Sequence, residues 1–149
     1  MPPPRGTAAA LCLLLGACGT SAPKADGAID YTTSSTVYPY PTGSTVHIEP
    51  DGSASASDVL SGRTGSTTLS ADLLATLYQQ ATDAHVEDLP AVIPCGCDAE
   101  PPQTFELSVV IDGQPHQTTM HQLDTPPAAL VTLTDTLARI FYIVLPPLA

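Results

Sequence analysis

The sequence predicts an α+β fold, an antiparallel sheet of about four to five strands with two helices packed on one face. Three observations carry this. Phe105, Leu107, Val109 and Ile111 alternate along one run that ends in Asp112-Gly113, the strongest two-residue hairpin signal. Two other stretches repeat apolar residues at helical spacing: Leu73, Leu74, Leu77 and Ala81, then Leu130, Leu133 and Leu137. The order is strands, helix, hairpin, helix, which segregates helices to one side of an antiparallel sheet.

Taken in order, residues 29–35 favour a strand with Ile29 and Tyr31 on one face. Residues 36–43 bring two prolines together with Tyr38 and Tyr40, and proline has no N–H to give a sheet ladder, so this is a loop or an edge. Residues 45–49 alternate again, Pro50-Asp51-Gly52 is a turn, and residues 52–59 return as a weakly apolar partner strand. Residues 61–68 read as a polar connection. Ser70 caps the first helix, with Leu69 and Leu74 spaced as a hydrophobic staple and Asp72 near the positive helix end. That helix ends by about Leu89, because Pro90 disfavours helical geometry in the residue before it.

After a loop over residues 91–103, the hairpin sets Val109 opposite His116, Leu107 opposite Thr118 and Phe105 opposite Met120. Thr125 is the expected cap of the last helix, with Pro126 in its first position. Residues 140–145 are too apolar for a free tail and are expected to pack on the sheet, stopped by Pro146-Pro147.

The N-terminus carries its own message. One charge at Arg5 precedes an apolar run over residues 8–15, which is shorter than the roughly 20 residues that span a bilayer. The following Leu15-Gly16-Ala17-Cys18 resembles a bacterial lipobox. That resemblance implies cleavage before Cys18, thioether diacylation of its sulfur and acylation of the new N-terminus, with two or three chains anchoring the protein far better than one. Thr20-Ser21-Ala22 offers the alternative cut of ordinary secretion. The expected organisation is a signal at residues 1–17, a tether at 18–28 and one domain at 29–149, facing the periplasm or the exterior of a cell envelope.

Losing Arg5 with the leader takes the formal charge from −11 to −12. Such a chain repels phosphate backbones and lacks the basic stripe of nucleic-acid binders, so its expected partners are the membrane, through the lipid on Cys18, and another protein. Two further cysteines remain in Pro94-Cys95-Gly96-Cys97-Asp98. An i, i+2 pair with glycine between meets disulfide separation in an oxidising envelope, which makes a Cys95–Cys97 bridge the first reading. Thiol-redox work by the same pair is the alternative, although thioredoxin-like sites use a longer C-x-x-C spacing. Cys95, Cys97, Asp98 and the histidines show no zinc-ligand spacing, so no metal and no cofactor is expected.

The domain resembles the emfourin-like proteins, a small bacterial family of inhibitors of thermolysin-type metalloproteases. The likeness covers about residues 29–141. It rests on Leu69-Ser70-Ala71-Asp72-Leu73 opening a Leu-rich helix that ends near Leu89-Pro90, on Phe105-Glu106-Leu107-Ser108-Val109 followed by Asp112-Gly113, and on Pro127-Ala128-Ala129-Leu130 opening the last helix. The resemblance implies a non-enzymatic protein-binding domain whose partner is a secreted metalloprotease. Members tend to carry a Ser-Gly-Gly turn after the first strand, where this chain has Ser34-Ser35-Thr36-Val37-Tyr38-Pro39-Tyr40, so no inhibitory residue carries over by motif.

The catalytic motifs agree with a non-enzyme: there is no G-x-S-x-G elbow and no H-E-x-x-H. His116 and His121 fall on opposite faces of their strand, His116 on the apolar side, while His47 and His85 have no special sequence context. The carboxylates Glu87, Asp88, Asp98 and Glu100 read as solvated surface. The candidate partner-binding residues are Tyr31, Tyr38 and Tyr40, since tyrosine supplies amphipathic contact area at low entropic cost. A structural envelope lipoprotein docked into an assembly is the alternative to a binder. Replacing Tyr38 and Tyr40 together by alanine should leave the circular-dichroism spectrum of the folded domain intact and weaken partner capture. A lost folded signal would assign the two rings to structure instead.

Overall fold

A computed structural model describes residues 21–35, 42–94, 103–122 and 124–149. The fold is built around β1 (Ala25–Ser35), which pairs antiparallel with β2 (Thr42–Ile48) on one side and β5 (Gln103–Ile111) on the other. Beyond β2 lie β3 (Ser53–Asp58) and β4 (Arg63–Thr68), and beyond β5 lies β6 (Gln114–His121). Among the described residues the sheet has six strands in the order β4-β3-β2-β1-β5-β6, every neighbouring pair antiparallel. Two helices, α1 (Ala71–Asp83) and α2 (Ala128–Val144), pack against it and against each other, so the α+β class is as expected.

Period-2 alternation decides which side faces the helices. Ile29 and Tyr31, Val46 and Ile48, Leu107 and Val109, with Ala54 and Ala56, are buried on the helix side. The opposite face is open and polar, carrying Asp30, Thr32, Thr45, His47, Ser55 and Ser57 on neighbouring registers. Leu130, Leu133, Leu137 and Ile140 make the buried stripe of α2, and Leu77, Ala81 and Ala84 that of α1 and its end. Removing each such leucine from water contributes about 1.5–3 kcal/mol.

The β5–β6 hairpin pairs in the expected register: Phe105 with Met120, Leu107 with Thr118, Val109 with His116. Both turn residues take positive φ, 49° at Asp112 and 75° at Gly113, which a two-residue turn of this hand requires. Ser70 caps α1 by accepting from the Leu73 amide at 3.3 Å, and Leu69 is buried beneath it.

The structure corrects several boundaries. Residues 61–68 are not merely a connection, since Arg63–Thr68 is the edge strand β4. An edge strand of Ser, Thr and Gly buries no alternating apolar face, so it leaves no period-2 pattern to read. With it the sheet exceeds the expected four to five strands. The tether does not extend to residue 28, because β1 begins at Ala25, whose side chain is buried and whose amide donates to the Thr82 hydroxyl. Helix α1 stops at Asp83, well short of Leu89, because His85 adopts left-handed geometry (φ 47°) before a short 3-10 turn at Val86–Asp88. Helix α2 is not capped by Thr125 with Pro126 inside it. Pro127 holds the cap position, and its carbonyl accepts from the amides of Leu130 and Val131.

The two sheet edges differ. Residues 91–93 run beside β6, with Ile93 N–H donating to Thr119 and Thr119 N–H donating to Ala91, and the Thr118 hydroxyl donating to the Pro90 carbonyl. At the other edge β4 lies close under the end of α2, where a Cβ on Gly65 would stand 2.7 Å from the Val144 carbonyl oxygen. Among the described residues no helix is long and apolar enough to cross a membrane.

Gly65→Ala forces either β4 or the end of α2 to move, and overpacking of this kind costs about 1–3 kcal/mol. The urea midpoint should fall accordingly with an unchanged slope. A wild-type midpoint would mean that the helix end yields freely.

Candidate functional site

At the end of the sheet where β1 finishes and β2 and β5 begin, the helix-facing side is only partly covered by α2. The result is a groove between sheet and helix with a volume of about 410 Å³, walled by Thr33 and Ser44 on the strands and by Ala138, Phe141 and Tyr142 on α2. A second hollow of about 290 Å³ shares Tyr31, Phe105 and Ala138 with the first and continues along α2 toward His121, Asp124 and Asp135.

The floor common to both is an aromatic pair. Tyr31 is paired with Leu107 and Phe105 with Thr33, which makes Tyr31 and Phe105 diagonal neighbours on the same face of adjacent strands. Their rings stack with centroids 6.5 Å apart and planes 9° from parallel. On the helix side Phe141 and Tyr142 meet edge to face at 5.3 Å. Tyr142 is 61% exposed, so its ring is a rim of the groove, not core.

Tyr31 combines burial with an unused polar end. It is 6% exposed, and its hydroxyl makes no hydrogen bond to any described residue. Burial, with a smaller contribution from the Asp135 carboxylate, pushes the phenol up to about 12, so it is a neutral group able both to donate and to accept. The strand wall is tied by a 2.7 Å hydrogen bond between the Thr33 and Ser44 hydroxyls.

The ends of the groove are acidic. Asp58 closes one end and accepts from the Leu60 amide and the Ser61 hydroxyl, the latter holding it below the usual carboxylate range. At the other end the Asp124 side chain is fully buried: one oxygen accepts from the His121 amide at 2.6 Å, and the second has no hydrogen-bond partner. Asp135 stands on α2 beside it. Among the described residues neither half of the groove is lined by a lysine or an arginine. Arg139 lines a neighbouring depression with Gln80 and Asp135, and Arg63, opposite Asp58 in the β3–β4 register, donates from its guanidinium to the Pro146 carbonyl and helps to lower the Asp58 pKa.

Of the sequence-derived candidates, Tyr31 lies at the centre of this groove, on an interior strand. Tyr38, Tyr40, Cys18, Cys95 and Cys97 lie outside the described residues. Thr42 and Gln103, the first described residues after the segments holding Tyr38, Tyr40, Cys95 and Cys97, both line the groove. Sequence reading did not single out Phe105, Phe141, Tyr142, Asp58 or Asp135 for the site. The adjacent Phe141-Tyr142 pair near the end of α2 was the available signal.

Away from the groove, His47 proves to have a context that its sequence neighbours did not reveal. On the open face of the sheet its Nδ1 lies 2.6 Å from Asp30 and its Nε2 2.9 Å from Glu49. Ionised carboxylates only accept, so these two contacts favour the cationic imidazole, in which both ring nitrogens donate. The hydrogen bonds to Asp30 and then Glu49 raise its pKa above 6.5. His85, Glu87 and Asp88 bring one ligand atom each within 4.8 Å of one another on the surface after α1, the one grouping of metal-ligand type among the described residues. Within it His85 and Glu87 are 3.2 Å apart.

Because folding raises the pKa of His47, its contribution to stability is fully present below the unfolded value, about 6.5, and is lost as pH rises through the higher folded value. The thermal midpoint of the wild type should therefore fall relative to that of His47→Gln as pH rises above about 6.5. Parallel curves for the two proteins would sink this account.

The chain matches no protein-family model and no curated protein, so a functional reading rests on the geometry of the groove.

Proposed function

We propose that the chain is a cell-envelope lipoprotein, anchored through Cys18, whose domain binds another protein through the aromatic groove, with inhibition of a thermolysin-type metalloprotease as its most concrete form. One observation carries the reading: the chain enters the domain at one pole and the groove opens at the other. Lys24 is bonded to the hairpin turn, its carbonyl accepting from the Asp112 amide at 3.0 Å. From Ala25 to Thr33 the strand rises roughly 27 Å. A lipid on Cys18 therefore holds the Asp112 pole toward the membrane and leaves the groove facing outward.

The site's composition supports a binder over a catalyst. Among the described residues the groove offers aromatic area, hydroxyls and carboxylates and no activated nucleophile hydrogen-bonded to a base. Aromatic rings framed by polar groups are the makings of a protein interface. A structural role in an envelope assembly is the second reading, favoured by the exposed Val59, Leu60, Ile143 and Leu148.

The test is to titrate the full-length protein, held in a non-ionic detergent, into a thermolysin-type metalloprotease. Residual activity is followed while intact mass shows whether the chain is cut. Stoichiometric loss of activity with an uncut chain is the expected result. Full protease activity at excess would remove the inhibitor form and put the structural role first.

A further inference from the structure

Resting on the reading of the groove as a protein-binding site, we infer that its occupant is a basic segment of the partner, with one arginine or lysine side chain seated over the Tyr31–Phe105 floor between the acidic ends. Charge comes first. Asp58 marks one end and Asp124 and Asp135 the other, and among the described residues every ion pair of the chain involves a histidine. The base beside Asp124 is His121, whose Nδ1 stands 3.4 Å from it without forming a hydrogen bond. Arg63, opposite Asp58 in the β3–β4 register, offsets the charge at that end in part, whereas Asp124 and Asp135 form no ion pair with an arginine or lysine among the described residues, and the whole chain, formally −11, adds to their negative potential over the groove.

The aromatic lining has the same preference. The faces of Tyr and Phe rings carry negative quadrupole density and attract a guanidinium or ammonium, an attraction worth about 0.5–2 kcal/mol and larger where water is excluded. The Phe141–Tyr142 pair supplies a second aromatic surface on the opposite wall. An acidic segment would be repelled by three carboxylates. A purely apolar one would cover the Tyr31 hydroxyl without matching it, which a buried polar group tolerates poorly. A peptide backbone beside a cationic side chain satisfies both demands, since the phenol can donate to a carbonyl or accept from an N–H.

The probe is a fluorescein-labelled, acetylated and amidated hexapeptide of alternating alanine and arginine. It is compared with the same peptide carrying citrulline, which keeps the shape and loses the charge. Anisotropy is read with full-length protein in dodecyl maltoside at about 0.15 M salt, where the Debye length is about 8 Å and distant charges are screened. The arginine peptide is expected to bind about tenfold more tightly than the citrulline one. Asp135→Asn should weaken binding by roughly two- to fivefold, and Tyr31→Phe and Tyr142→Ala should each weaken it too. Asp112→Asn, which removes the same charge at the far pole, should leave it unchanged. Tyr142→Ala guards the result against a packing defect at Tyr31, because that ring is mostly exposed.

Equal binding of the two peptides, or equal losses for Asp135→Asn and Asp112→Asn, would overturn the proposal by reducing it to net charge. So would a failure of the arginine peptide to bind. The protease titration separates this from the underlying reading. Inhibition that survives in the Tyr31→Phe, Asp135→Asn double variant would reject the basic occupant and keep the binder. Peptide binding without any inhibition would keep the groove and discard the protease.

Discussion

Everything in this domain depends on burying one face of β1. The strand has neighbours on both sides and its inward residues Ile29 and Tyr31 face α1 and α2, so it is the element with the most to lose if the helices are displaced. Its neighbours contribute Val46, Ile48, Leu107 and Val109 to the same layer, and the stripe of α2 closes over it. The covering is one-sided: β2 and β3 turn hydroxyls and His47 to water on the back. A sheet of this kind is stabilised from one side, and its exposed face is free to be polar.

That same incompleteness makes the groove. α2 runs from beside His121 and Asp124 toward β4, packing over β2 and β3 while α1 packs on β1, and leaves the ends of β1, β2 and β5 beside its flank. Phe105 is therefore half-buried where Leu107, two residues on, is fully buried. A buried aspartate oxygen without a hydrogen-bond partner, on Asp124, borders this region. A group in that condition is costly to leave unmatched.

The parts legible in the sequence were those with strong local grammar. The β5–β6 hairpin announced itself through alternation and Asp112-Gly113, and its register followed from the turn alone. Ser70 and the two leucine stripes likewise needed only neighbours within one or two turns. What was hidden depends on partners far along the chain. His47 looked ordinary because Asp30, which holds it, lies on the adjacent strand. Tyr31 and Phe105 form one floor only because β1 pairs with β5. Strand β4 was invisible because pairing with β3, not apolar content, makes it a strand. Half of the site was thus in view as Tyr31, and the carboxylates that give it a sign were not.

The attachment at Lys24 has a mechanical side. The Asp112 amide donates to the Lys24 carbonyl, and the Gly113 amide donates to the Asp26 carboxylate, so the chain enters the domain clamped against the hairpin turn. Tension between a held N-terminus and a partner gripping the opposite pole runs along the axis of β1. The ladders to β2 and β5 lie across that axis, so their hydrogen bonds share the load and must shear together instead of unzipping one by one. The strand at the centre of the sheet is then also its tendon.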